Sequence, residues 1–157
     1  MRKQMIGSAS ESVSRSGDAW LDLERLAKVE VTSESAEHPI ESALIPDPGL
    51  GWRAAQPGKQ TIRLIFDYPL SLGRILLRFE ENKAKRTQEF VLRWLPEGTN
   101  RFVRSYVSSI PSVRPPLTKE SEDYRVNLNG VTALELEIVP DISGGDASAS
   151  LAQMRLA

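Results

Sequence analysis

The chain contains no cysteine and a single histidine, His38, among its 157 residues. The first absence excludes disulfides, thiolate metal sites and cysteine nucleophiles together, so stability has to come from packing. The second leaves too few ligands for a zinc centre, and neither H-E-x-x-H nor C-x-x-C occurs. A G-x-S-x-G elbow, a Walker A loop and a G-x-G-x-x-G turn are missing as well. Twenty Lys and Arg stand against 21 Asp and Glu, a net charge of -1, so no global field draws the protein to nucleic acid or an anionic membrane. No stretch approaches the roughly 20 apolar residues of a membrane span. Met1 to Gly17 also lacks the apolar run of a secretory signal, which makes a cytoplasmic protein the expectation.

At 17.5 kDa the chain suits one domain, because chains of this length bury roughly two-thirds of their unfolded surface. Residues 1–17 are small and polar and read as a flexible lead-in, leaving 18–157 as the single domain. Asp18 to Lys28 places Trp20, Leu23 and Leu26 or Ala27 at helical spacing after a capping Asp, which predicts one or two turns of helix.

From Val29 the apolar period changes to two, the mark of strands with one buried face. Val29 and Val31 share a face. So do Ile62, Leu64 and Phe66, then Ile75, Leu77 and Phe79, then Phe90, Leu92 and Trp94. Tyr124, Val126 and Leu128 follow, then Leu134, Leu136 and Ile138. Breakers fall at 67–73, 96–98, 127–130 and 140–146, and long connections at 38–59 and 109–120. In the last run, 147–156, Leu151 breaks the period kept by Met154 and Leu156, which predicts a bulge or a sheet crossing. About eight mainly antiparallel strands with no helix-length pattern between them make an all-β, two-sheet sandwich of jelly-roll type with a short N-terminal helix.

Catalysis finds little to work with. Glu80-Glu81 is a carboxylate pair, but the alternation puts Glu80 on the polar sheet face, and acid–base chemistry needs convergent carboxylates with separated pKa values. Recognition has more candidates. Arg53 and Arg86 carry planar donor forks suited to hydroxyls and carboxylates, or else make surface ion pairs, Arg86 with Glu80 or Glu89. Trp52 and Trp94 are core anchors or platforms for the apolar face of a sugar. His38, before Pro39 in a long loop, is a ligand contact or a structural residue. The nearest approach to a nucleic-acid signature is Arg101-Phe-Val-Arg-Ser-Tyr106, and acidic residues are equally frequent along the chain, so nucleic acid is not an expected partner.

Val29-Glu-Val-Thr-Ser-Glu34, Pro39-Ile-Glu-Ser-Ala43 and Trp52 resemble the opening of the discoidin, or coagulation-factor (F5/8) type C, domains of the galactose-binding-like superfamily. Ala43 and Trp52 stand at the family's separation, with Asp47 on an acidic position. Residues 60–67 with 72–79 resemble its paired strands, and 149–156 its closing strand, so the resemblance covers about 29–157. It implies a jelly-roll sandwich similar to bacterial carbohydrate-binding modules. A non-catalytic module would hold a carbohydrate through loops at one end, with His38, Glu41, Arg53 and Arg86 as equivalents of the family's sugar contacts. The alternative is a protein-interaction or assembly domain using a sheet face, through Ile65, Leu76, Val91 and Leu95. Ile45, Pro46 and Leu50 replace the Asp, Gly and Thr of the family's calcium loop, so no metal and no other cofactor is expected. Trp52-Arg-Ala-Ala55 with Gly58 and Thr61-Ile62 is also similar to a domain of this broad fold in a eukaryotic scaffold of DNA single-strand-break repair, which engages protein and broken DNA.

Overall fold

The computed structural model describes residues 20–45, 51–80, 88–110, 119–141 and 147–157. Its framework is one pair of long strands. β3 (Gln60–Glu80) and β6 (Lys119–Val139) are each 21 residues long and pair antiparallel from Gln60↔Ile138 to Glu80↔Lys119. The predicted breaks at 67–73 and 127–130 are not breaks in this ladder. Both strands run on through them, and the register shifts between Ile65 and Arg74 instead. Pro69, which has no N–H to give a ladder, lies inside the shifted stretch.

The shift reverses the phase of the buried side chains. Ile62, Leu64 and Phe66 face inward before it, and Ile75, Leu77 and Phe79 after it. On β6 the phase is kept, from Tyr124, Val126 and Leu128 to Leu134, Leu136 and Ile138, and Val131 is buried between the two runs just after Gly130, whose φ of 66° is costly for any side chain with a Cβ. The ribbon thus folds back on itself. Phe79, from the far half of β3, stacks on Phe90 of β4 (Gln88–Pro96) at 5.4 Å between ring centroids, and Phe90 meets Tyr124 edge-on at 6.3 Å. Both contacts cross from one layer to the other.

The remaining strands dock on this ribbon. Following α1 (Leu23–Leu26), β1 (Ala27–Val31) pairs with the first half of β3. β4 pairs with the second half of β6, and β5 (Val103–Ile110) lies outside β4. Against the other half of β3 lies β8 (Gln153–Leu156). A separate ribbon joins β2 (Trp52–Pro57) to β7 (Ser148–Leu151). Every pairing is antiparallel, and one core cluster lies between the layers. The predicted crossing in the last run falls at Ala152, where the chain leaves β2 for β3 and the Ala152 N–H donates to the Arg78 carbonyl at 2.8 Å.

Three expectations change. The N-terminal helix is the single turn of α1, and Ala27 and Lys28 already belong to β1. The connection 38–59 holds a one-turn helix, α2 (Glu41–Leu44), and strand β2. The sheet face offered as a protein-docking surface is not apolar. Val91 is 8% exposed, Ile65, Leu76 and Leu95 are half-buried, and the only large apolar side chains well exposed among the described residues are Tyr68 and Val103.

Charge fills that face instead. Glu135, 8% exposed in mid-sheet, accepts from Arg63 Nε and Nη2 at 3.0 and 2.7 Å and from Arg93 Nη1 at 3.2 Å. Arg63 Nη1 reaches Glu30 at 3.0 Å, and Arg93 and Lys59 reach Glu137. Burial of a lone carboxylate would be costly, and these arginines are what make Glu135 tolerable there.

Gly51 marks the tightest backbone approach. Its φ is 74°, and a Cβ there would lie 2.8 Å from the Leu151 carbonyl oxygen and 2.9 Å from Ala152 Cα. Gly51→Ala is therefore expected to cost about 2 to 4 kcal/mol, from backbone strain plus overpacking. Urea denaturation checks this, and a midpoint equal to that of the unaltered protein would show that the approach relaxes freely.

Candidate functional site

The strand register sorts the connections between the two ends of the sandwich. The bend of the β3–β6 ribbon closes one end. At the other, β1 and β6 leave and β3 and β4 begin, since Val31 pairs with Ile62, Gln60 with Ile138 and Glu89 with Val139. This open end carries the segment 32–45 and the start of β2.

Hydrogen bonds tie that segment into a compact unit. Glu34 Oε1 accepts from the Ile40 N–H at 3.0 Å. The Ser33 hydroxyl donates to Gln60 Oε1 at 2.8 Å and accepts from the Ala55 N–H at 3.0 Å. Two backbone bonds then join Arg53 to the 35–38 turn: Ser35 N–H to the Arg53 carbonyl at 2.8 Å, and Arg53 N–H to the His38 carbonyl at 3.1 Å. His38 Nδ1 lies 3.3 Å from the Ser35 hydroxyl, which orients the ring and leaves Nε2 for another partner. Among the described residues nothing bonds the side chain of Arg53 or Glu41. Glu41 is exposed in the first turn of α2, three residues beyond His38. His38, Glu41 and Arg53 thus lie at one end of the sandwich, while Arg86 lies outside the described residues.

Trp52 must be withdrawn as a ligand contact. It is 1% exposed, one of the largest fully buried side chains, and its Nε1 donates to the Ser33 carbonyl at 3.0 Å. The indole pins the site-bearing segment to the core from below. Trp94 packs against the same core. The residues behind the likeness to the repair scaffold are structural as well, since Trp52, Ala54 and Ile62 are all buried. What sequence reading missed is the scaffolding: Ser33, Glu34 and Ser35 read as a Ser-rich turn, and no periodicity marks a carboxylate that reaches six residues along to a backbone N–H.

Of the positions that correspond to the calcium loop of the resembled family, only Ile45 lies among the described residues. Ile45 is apolar where an aspartate would stand, and among the described residues no three acidic or histidine side chains converge. Asp47 lies outside the described residues. Nearby, Glu30, Val31, Thr32, Thr61 and Arg63 line a shallow open depression of about 210 Å³. Its donors are spent internally, Arg63 on Glu30 and Glu135, and Thr32 on Thr61. No helix among the described residues is long and apolar enough to cross a membrane.

Trp52→Phe is expected to lower stability by about 1 to 2 kcal/mol through the lost hydrogen bond and ring volume, measured by chemical denaturation. A variant that keeps its stability would mean the indole is not the anchor described.

No family profile matches the chain, and no curated protein matches it. Solved structures do. A pectin-binding carbohydrate-binding module superposes with a TM-score of 0.62 at 14% identity, over 84% of this chain and 90% of that one. A family 32 carbohydrate-binding module from Clostridium perfringens, in complex with galactose, gives 0.61 at 10% identity over 87% and 96%. The F5/8 type C domain of a Bacteroides fragilis protein gives 0.61 at 12% identity over 87% and 93%. The chain has the galactose-binding-like β-sandwich fold that these carbohydrate-binding modules and F5/8 type C domains share.

Proposed function

We propose that this chain is a non-catalytic carbohydrate-binding module that holds a sugar at the open end of the sandwich. The observation that carries the reading is the backbone hydrogen bonding of Arg53 to Ser35 and His38 on a tied-down segment, with the Arg53 fork and His38 Nε2 left for a ligand. Preorganised donors of this kind suit vicinal hydroxyls, because the protein does not have to order the loop when the ligand arrives. Glu41 adds an acceptor beside them. The fold supports the same reading, since solved neighbours include modules in complex with galactose and with a GalNAc-β-1,3-galactose disaccharide.

Without the Trp52 platform the site works by polar contacts, so affinity for a monosaccharide should be modest, about 1 mM or about -4 kcal/mol. The reading contains no metal and no catalytic group. Protein-detected NMR titration with galactose and GalNAc-β-1,3-galactose tests it. Saturable shifts are expected at His38 and Arg53, unchanged by EDTA, and Arg53→Ala should weaken binding at least about tenfold with the thermal midpoint preserved. A titration flat to about 10 mM of both sugars and of a broad glycan panel would sink the reading.

A further inference from the structure

The main sheet ends on one side at β1, which pairs with β3 and with no other strand among the described residues. The register shows which of its peptide groups are left over. The Thr32 N–H donates to the Thr61 carbonyl at 3.0 Å, continuing the β1–β3 register by one residue. Hydrogen-bonded pairs alternate along an antiparallel ladder, so Lys28 and Glu30 also turn their N–H and C=O groups towards β3. Ala27, Val29 and Val31 therefore turn theirs away. The Ala27 N–H is taken by the Leu23 carbonyl of α1. Among the described residues, the N–H groups of Val29 and Val31 and the carbonyls of Ala27 and Val29 have no backbone partner.

Sheet edges are commonly blocked by a bulge or a proline, and β1 has neither. It carries one charge of each sign instead, Lys28 and Glu30, on either side of Val29. Lys28 is exposed and meets no acidic group among the described residues. Glu30 accepts from Arg63 at 3.0 Å through Oε1, and its side chain is still 44% exposed. On the inner side Ala27, Val29 and Val31 are only partly buried against the core.

We propose that β1 is a dimer interface, at which a second copy of this chain adds its own β1 antiparallel about a twofold axis through Val29, joining the two main sheets into one. In that register the Val29 residues of the two copies exchange both hydrogen bonds, and each Val31 N–H reaches the Ala27 carbonyl of the other copy. Lys28 then stands opposite Glu30 of the other copy on both sides of the axis, with Cβ atoms about 5 Å apart. The charges fix the register. A slip of two residues one way would set Lys28 against Lys28, and the other way Glu30 against Glu30. An identical strand thus matches both the hydrogen-bonding pattern and the charge pattern of this edge.

The interface is short, so the dimer is weak, with a dissociation constant of about 0.1 to 1 mM. β1 runs from the bend towards the open end, and antiparallel copies would carry their open ends in opposite directions. Combined with the proposed function, the pair presents one sugar site at each pole and bridges two glycan chains. That consequence rests on the sugar reading, whereas the pairing itself does not.

Sedimentation equilibrium of the full chain from about 10 μM to about 1 mM tests the pairing, and a monomer–dimer equilibrium is expected. Lys28→Glu sets carboxylate against carboxylate and Glu30→Lys sets ammonium against ammonium, so each variant alone should dimerise at least about tenfold more weakly. Mixed in equal amounts, the two variants place opposite charges across the interface again, and their heterodimer should return to within about threefold of the unaltered protein. Val29→Pro removes the central outward N–H and no bond to β3, so it should stay monomeric with its circular dichroism spectrum preserved. A chain monomeric to about 1 mM, a dimer unmoved by the charge reversals, or two reversals that do not rescue each other would each overturn the proposal. Association is read without sugar and galactose titration is read at His38 and Arg53, so either reading can fail while the other stands.

Discussion

The β3–β6 ladder is the constraint from which the rest follows. Two 21-residue strands, hydrogen-bonded along their length and folded over on a set of register shifts, supply both layers of the sandwich at once. β1, β8 and β4 are added to their free edges, and β5 in turn to β4. Because a single ribbon builds both layers, the bend decides which side chains meet across the core. The phase reversal between Phe66 and Ile75 keeps apolar groups inward on both sides of it. A ladder that bent without that reversal would turn Ile75, Leu77 and Phe79 to water.

The bend also divides the molecule functionally. It closes one end with strand and leaves the other to loops, so the polar side chains of 32–45 and the start of β2 have one place to gather. The pinning of segment 32–45 by the Trp52 indole, the Glu34 carboxylate and the Ser33 hydroxyl makes that place rigid. Rigidity of this kind trades adaptability for a lower ordering cost.

Much of this was legible in the residues. Alternation announced the strands around Ile62, Ile75, Phe90 and Leu134 because each has one face against the core and one against water. It failed where that contrast fails. β2 begins with buried Trp52 and Ala54 but ends in exposed Gln56 and Pro57, too short a pattern to separate from loop. Stretches 67–73 and 127–130 carry the composition of turns because bulged strand and turn need the same small or φ-restricted residues. At the site, the residue types of His38 and Arg53 could be read, but their proximity comes from the backbone pairing of 35–38 with Arg53, which leaves no periodic trace. Trp52 was ambiguous for a simple reason: a buried indole and a stacking platform have the same sequence, and burial alone tells them apart.

The Leu21 N–H donates to the Leu156 carbonyl at 2.7 Å, and the Ala157 carbonyl accepts from both Gly73 and Arg74 at the bend. The polypeptide therefore enters and leaves the sandwich side by side, at the pole away from His38 and Arg53. A unit wired in this way can be spliced into a longer chain or hung from a tether without stretching its host. It would stand on two adjacent stems with the 32–45 segment held outward, and neighbouring domains could vary in size without crowding the open end.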